Sequence, residues 1–109
     1  MTTAKKKKVS APVKRTSRKT FKLPAEVRIH GIEQLKENLL RLFDGYKTIT
    51  LDGSSVNKID FVGVQLLTAF CLSARSENID VKWKAASEPL IYASRLLDLS
   101  EHLNLGNNA

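Results

Sequence analysis

Catalysis draws on a short list of side chains, and this chain of 109 residues offers few of them at useful spacing. His30 and His102 lie far apart, and neither has a second ligand at metal-binding distance along the chain, so both read as surface or boundary histidines. Cys71 is the single cysteine. It excludes an internal disulfide, cannot make a structural zinc site and fits a reducing, cytoplasmic setting. By periodicity it falls on the core side of its helix, which favours a structural thiol over a nucleophile. No Gly-rich phosphate loop, nucleophile elbow or Ser-His-Asp pattern is present. Asp52 and Asp60 are the one conceivable acid–base pair. Each has a stronger structural reading: Asp52-Gly53 has turn chemistry, and Asp60 stands one residue before a helix, where a carboxylate accepts backbone N–H bonds. Ser54 and Ser55 sit in the same turn for ordinary turn-forming reasons. The residues therefore predict a chain that is not an enzyme, with no cofactor and no metal.

The elements that hold these residues alternate between two periodicities. Phe21, Leu23, Val27 and Ile29 alternate with polar residues, predicting an extended segment or hairpin broken near Pro24. Ile32, Leu35, Leu39, Leu42 and Phe43 form a 3.6-period stripe, an amphipathic helix ended by Asp44-Gly45. Residues 47–51 alternate again, with Ile49 and Leu51 on one face, and close on Asp52-Gly53. The longest apolar-periodic stretch runs from Phe61 to about Ser76. Val81 and Trp83 mark another strand. Ser87 stands at an N-cap position with Pro89 in the first turn, followed by Leu90, Ala93 and Leu97 at helical spacing. A last helical turn is expected from Ser100 through Leu103 to Leu105, ended by Gly106-Asn107. Strands alternating with helices predict an α/β fold, a small mixed, mainly parallel sheet with helices packed against it.

The helix that follows Asp60 is the informative one. Steps of 100° gather Leu67, Phe70 and Ala74 near Gly63, flanked by Leu66 and Cys71, as the core face. Phe61, Gln65, Thr68 and Leu72 fall on the opposite side. Together with Val62 they make a candidate partner-binding stripe, because a coherent row of outward apolar side chains marks an interaction surface.

Charge separates the two ends of the chain. The net charge is +7, yet residues 1–22 carry nine basic residues and no acid. The other nine basic residues meet all 11 acidic ones in residues 23–109, a net of −2. The predicted organisation is a disordered basic tail over 1–20, a folded domain over 21–106 and a flexible end over 107–109. The folded part lacks the electrostatic footprint of a nucleic-acid-binding domain. Nucleic-acid or anionic-membrane contact is expected only through residues 5–22. Lysines open the chain without a following apolar run, so the tail does not read as a secretory signal.

The stretch from Leu51 to Leu67 resembles the STAS domain, shared by anti-sigma-factor antagonists and the cytoplasmic ends of sulfate transporters. That family's hallmark is a strand, a turn and a helix opening on Asp-Ser-Ser/Thr-Gly before an apolar run. Asp60, Gly63 and the run Val64 to Phe70 match, and the likeness extends from about Phe21 to Leu105, taking in Val81-Lys82-Trp83 and Ser87-Glu88-Pro89-Leu90. The resemblance implies a small sheet with packed helices, a cytoplasmic bacterial setting and a docking role. The implied partner is a histidine kinase or receptor of a chemotaxis-type signalling assembly, or the ATPase of a phospholipid-transport ABC system that such a subunit braces. In many family members a kinase phosphorylates the hydroxyl residue directly after the Asp. Here Phe61 and Val62 occupy the first two positions, so no phosphorylation is expected at that site, and the resemblance does not carry the phosphosite to Ser54 or Ser55.

Overall fold

The computed structural model describes residues 17–105. Its main sheet has three strands in the order β1-β3-β5: β1 (Ser17–Lys22), β3 (Tyr46–Gly53) and β5 (Asp80–Ala86). Two shorter strands, β2 (Glu26–Val27) and β4 (Lys58–Ile59), pair separately. All pairings among the described residues are parallel, in keeping with the mainly parallel sheet expected. Parallel neighbours need crossovers, and helices supply them. The chain passes from β1 to β3 through β2 and helix α1 (Ile32–Arg41), and from β3 to β5 through β4 and helix α2 (Phe61–Ser76). Helix α3 (Glu88–Leu96) follows β5.

The expected boundary at residue 21 moves toward the N-terminus. Backbone pairing begins at Ser17, so residues 17–20 belong to the folded domain. The remainder of the predicted tail, and residues 106–109, lie outside the described residues. The alternation from Phe21 to Ile29 does not form a hairpin. β1 joins β3, β2 joins β4, and Leu23 between them is buried with its N–H bonded to the Asp52 carbonyl at 2.9 Å.

One core serves all the elements. Ile49 and Leu51 rise from the sheet, Leu35 and Leu39 from α1, Val64, Leu67, Phe70 and Ala74 from α2, and Leu90 from α3. α1 ends in a short 3-10 turn over Leu42–Asp44, and the Phe43 ring then stacks on Phe70 with centroids 5.2 Å apart. Ser87 caps α3, its Oγ accepting from the Leu90 N–H at 3.3 Å. The segment after α3 makes the single turn expected of it. Leu103 donates to the Leu99 carbonyl, Leu105 to that of Ser100, and Asn104 takes a left-handed φ of 64° that stops propagation. Leu103 and Leu105 are nonetheless buried, and the Trp83 indole N–H ties the turn to the sheet through the Leu103 carbonyl at 2.6 Å.

Candidate functional site

Asp60 organises the start of α2. One carboxylate oxygen accepts from the Gly63 N–H at 2.9 Å, closing the N-cap, and the other accepts from the Ile29 N–H at 3.0 Å. The second bond joins the loop after β2 to the helix entry, so one side chain fixes two segments 31 residues apart. The Ile29 N–H, followed by those of Gly63 and Val62 and by the nearby Arg28 charge, holds the carboxyl below its ordinary range despite partial desolvation. Gly63 completes the junction. A Cβ at this position would collide with the Val27 carbonyl, so the close approach of α2 to β2 requires a residue without one. The two residues read from the sequence as cap and hallmark glycine thus have one joint mechanical role.

This junction presents Phe61 outward, 55% exposed at the first position of a fixed helix. Gln65 and Leu72 are exposed along the same side, and Val62 is half-buried. Thr68 corrects the expected stripe: it is only 8% exposed, and its hydroxyl donates to the Val64 carbonyl at 2.8 Å. α2 packs against α1 and α3 as well as β5, which widens its buried arc beyond that of a helix resting on one surface. The exposed strip shifts accordingly, running from Phe61 and Gln65 through Ala69 to Leu72.

Four exposed apolar residues escape the sequence reading, one of them Leu40 on α1, 50% exposed. Ile29, 59% exposed, belongs to a strand alternation by sequence, but its backbone N–H bonds to Asp60 at the entry to α2. Tyr92 and Leu96, one helical turn apart, are exposed on α3. Their signal was present, since they lie off the Leu90, Ala93 and Leu97 stripe.

The remaining chemical candidates do not converge. Asp52 spends one oxygen on its own turn, accepting from the Ser54 hydroxyl at 2.7 Å and the Ser54 N–H at 3.1 Å. Those bonds, with the nearby Lys84 and Lys22 charges, keep its carboxyl below the usual range. It shares no hydrogen-bond partner with Asp60. Burial pushes the Cys71 thiol up to about 12, against a weaker opposing pull from Arg75, which makes it a poor nucleophile at neutral pH. His30 and His102 are exposed. Among the described residues no three His, Cys, Asp or Glu side chains come together as a metal site, and no helix is long and apolar enough to cross a membrane.

In this parallel α/β domain Asp60 and Gly63 fix the entry of α2, and Phe61 is exposed at its first position. A family model described as "Mlab, STAS domain" matches residues 13–105, and the chain belongs to the STAS domain family. Members of this family generally act as non-catalytic modules for protein–protein interaction, as in the anti-sigma-factor antagonists. Comparison with curated proteins finds no match.

Proposed function

We propose that this chain is a non-catalytic, cytoplasmic docking module of a bacterial signalling assembly, and that the strip of α2 beginning at Phe61 is its contact face. The observation that carries the reading is the exposure of Phe61 on a helix entry that Asp60 and Gly63 hold fixed. A backbone already positioned loses little further freedom on binding, so more of the burial energy of the side chain it carries survives as affinity. Ile29, whose backbone N–H bonds to Asp60, adds a second exposed apolar residue at the helix entry, and Gln65 is an exposed polar residue one turn along α2. The partner is a histidine kinase or receptor of the chemotaxis type. Phe61 has no hydroxyl, so a phosphate cannot switch this position by adding charge at the helix start, and the contact is constitutive.

That same feature favours a second reading. A contact without a switch suits a permanent subunit as well as a signalling relay, and a STAS subunit bracing the ATPase of a phospholipid-transport ABC system would use the same strip. Capture from native lysate separates the two, comparing the intact chain, Phe61→Asp and a chain lacking residues 1–20. A kinase or receptor lost with Phe61→Asp and retained without the tail supports the signalling module. An ABC ATPase with the same dependence supports the transporter subunit. Capture that depends on residues 1–20 alone would mean that a tail-mediated contact, with nucleic acid or anionic membrane, replaces both.

A further inference from the structure

Parallel sheets are usually covered on both faces. Here the core occupies one face only, the side from which Ile49 and Leu51 point. Strand register assigns the other face. Arg18 pairs with Thr48 and Thr48 with Asp80; Thr20 pairs with Thr50 and Thr50 with Lys82; Lys22 pairs with Asp52. Paired residues share a face, and these alternate with the buried positions of β3. Lys84 is the extra residue where the β3–β5 register shifts, and its charge acts on Asp52 together with that of Lys22. The charged β1 and β5 side chains of this face are exposed, whereas Thr48, Thr50, Asp52 and Ala85, the β5 partner of Asp52, are half-exposed.

We infer that this open face, through Arg18, Lys22, Lys82 and Lys84, binds an anionic lipid surface. The charge complementarity is continuous along the chain. Lys5, Lys6, Lys7, Lys8, Lys14 and Arg15 precede β1 directly, and Arg18 and Lys22 carry the same sign onto the sheet. Asp80 and Asp52 offset part of the charge, Asp80 lying 3.7 Å from Lys82, and the face keeps a surplus of cations. Shape decides between the polyanions. Duplex DNA is read by an element that enters a groove, and single strands by aromatic platforms. This face is a short sheet surface of lysine, arginine and threonine with no aromatic side chain at these register positions, which suits a planar layer of phosphate headgroups. The α2 strip points away from the sheet, so lipid contact and protein docking do not compete for surface.

Sedimentation with vesicles tests the assignment, using the full chain and equal parts of phosphatidylglycerol and phosphatidylcholine. The intact chain partitions onto these vesicles, not onto pure phosphatidylcholine, and releases as salt is raised. Lys82→Glu combined with Lys84→Glu, with the tail intact and circular dichroism unchanged, lowers the partition coefficient at least about tenfold, because each lysine near such a surface contributes about a factor of five. Phe61→Asp leaves it unchanged. Failure of the intact chain to bind would overturn the proposal, as would indifference to the double charge reversal, which would leave the tail as sole contact. An equal loss with Phe61→Asp would move the lipid contact to the helices. Tighter binding to duplex DNA through the same lysines would replace lipid by nucleic acid.

Discussion

A single carboxylate joins the two segments that frame the proposed contact face. Replacing Asp60 by Ala removes the N-cap bond and the bond to Ile29 together, and a lost cap alone costs about 0.5–2 kcal/mol. The Asp60→Ala chain is expected to lose at least that much unfolding free energy, read from a lower urea midpoint, with partner affinity reduced as the loop bearing Ile29 loosens. The pH dependence follows from the lowered carboxyl of Asp60. Its folded value lies below the unfolded value of about 3.9, so its contribution is present in full above that value and is lost as pH falls through the folded one. Asp60→Asn should therefore flatten part of the acid limb of a stability–pH curve and leave the neutral plateau lower. Cys71 makes the complementary prediction. A buried thiol with its pKa raised to about 12 should resist alkylation at pH near 8 in the native chain and react at the ordinary rate once the chain unfolds in denaturant.

At the scale of elements, α2 was largely legible before its coordinates. Leu67, Phe70 and Ala74 lie in the core beside Gly63, as 100° steps require, because a sheet-facing helix must repeat its apolar residues near the 3.6 period. Thr68 was not legible. A wheel drawn for one packing surface cannot know that α1 and α3 flank the helix, and a threonine can be buried there because its hydroxyl finds the Val64 carbonyl. β1 was missed from Ser17 to Thr20 for a different reason. An edge strand is held by its backbone ladder, and Ser-Arg-Lys-Thr buries no side chain that would reveal it. The position of Ile29 depends on a bond to a residue 31 positions away, which no local pattern encodes. Gly63 was recognised by resemblance, and the structure supplies the cause: the Val27 carbonyl occupies the space of a side chain. Gly63→Ala should destabilise the fold by about 1–3 kcal/mol or more through forced separation of α2 from β2, read from the denaturation midpoint. Ala69→Ser, on the exposed side of the same helix, should change stability by less than about 0.5 kcal/mol.

The whole molecule has two unlike sides. Among the described residues the helices expose Leu40, Phe61, Leu72, Tyr92 and Leu96, with Ile29 in the loop before α1, whereas the sheet exposes Arg18, Lys22, Lys82 and Lys84. Net charge alone, +7, conceals this division, because the basic surplus lies in the N-terminal residues and on one sheet face. A module with this polarity can hold a protein on one side while the other faces a charged surface, an arrangement equally useful beside a receptor or a transporter.

The central claim is that Phe61 is outward to be bound and not to support the fold. Calorimetric titration of the captured partner into the intact chain and into Phe61→Asp, with thermal unfolding of both on the same preparations, tests it most directly. Burial of a phenylalanine is worth about 1.5–3 kcal/mol, which is about 10- to 150-fold in affinity. The account predicts a loss of at least that size with the unfolding temperature nearly unchanged. Unchanged affinity would make Phe61 ordinary surface, and a loss matched by an equal loss of stability would make its role structural; either result would contradict the claim.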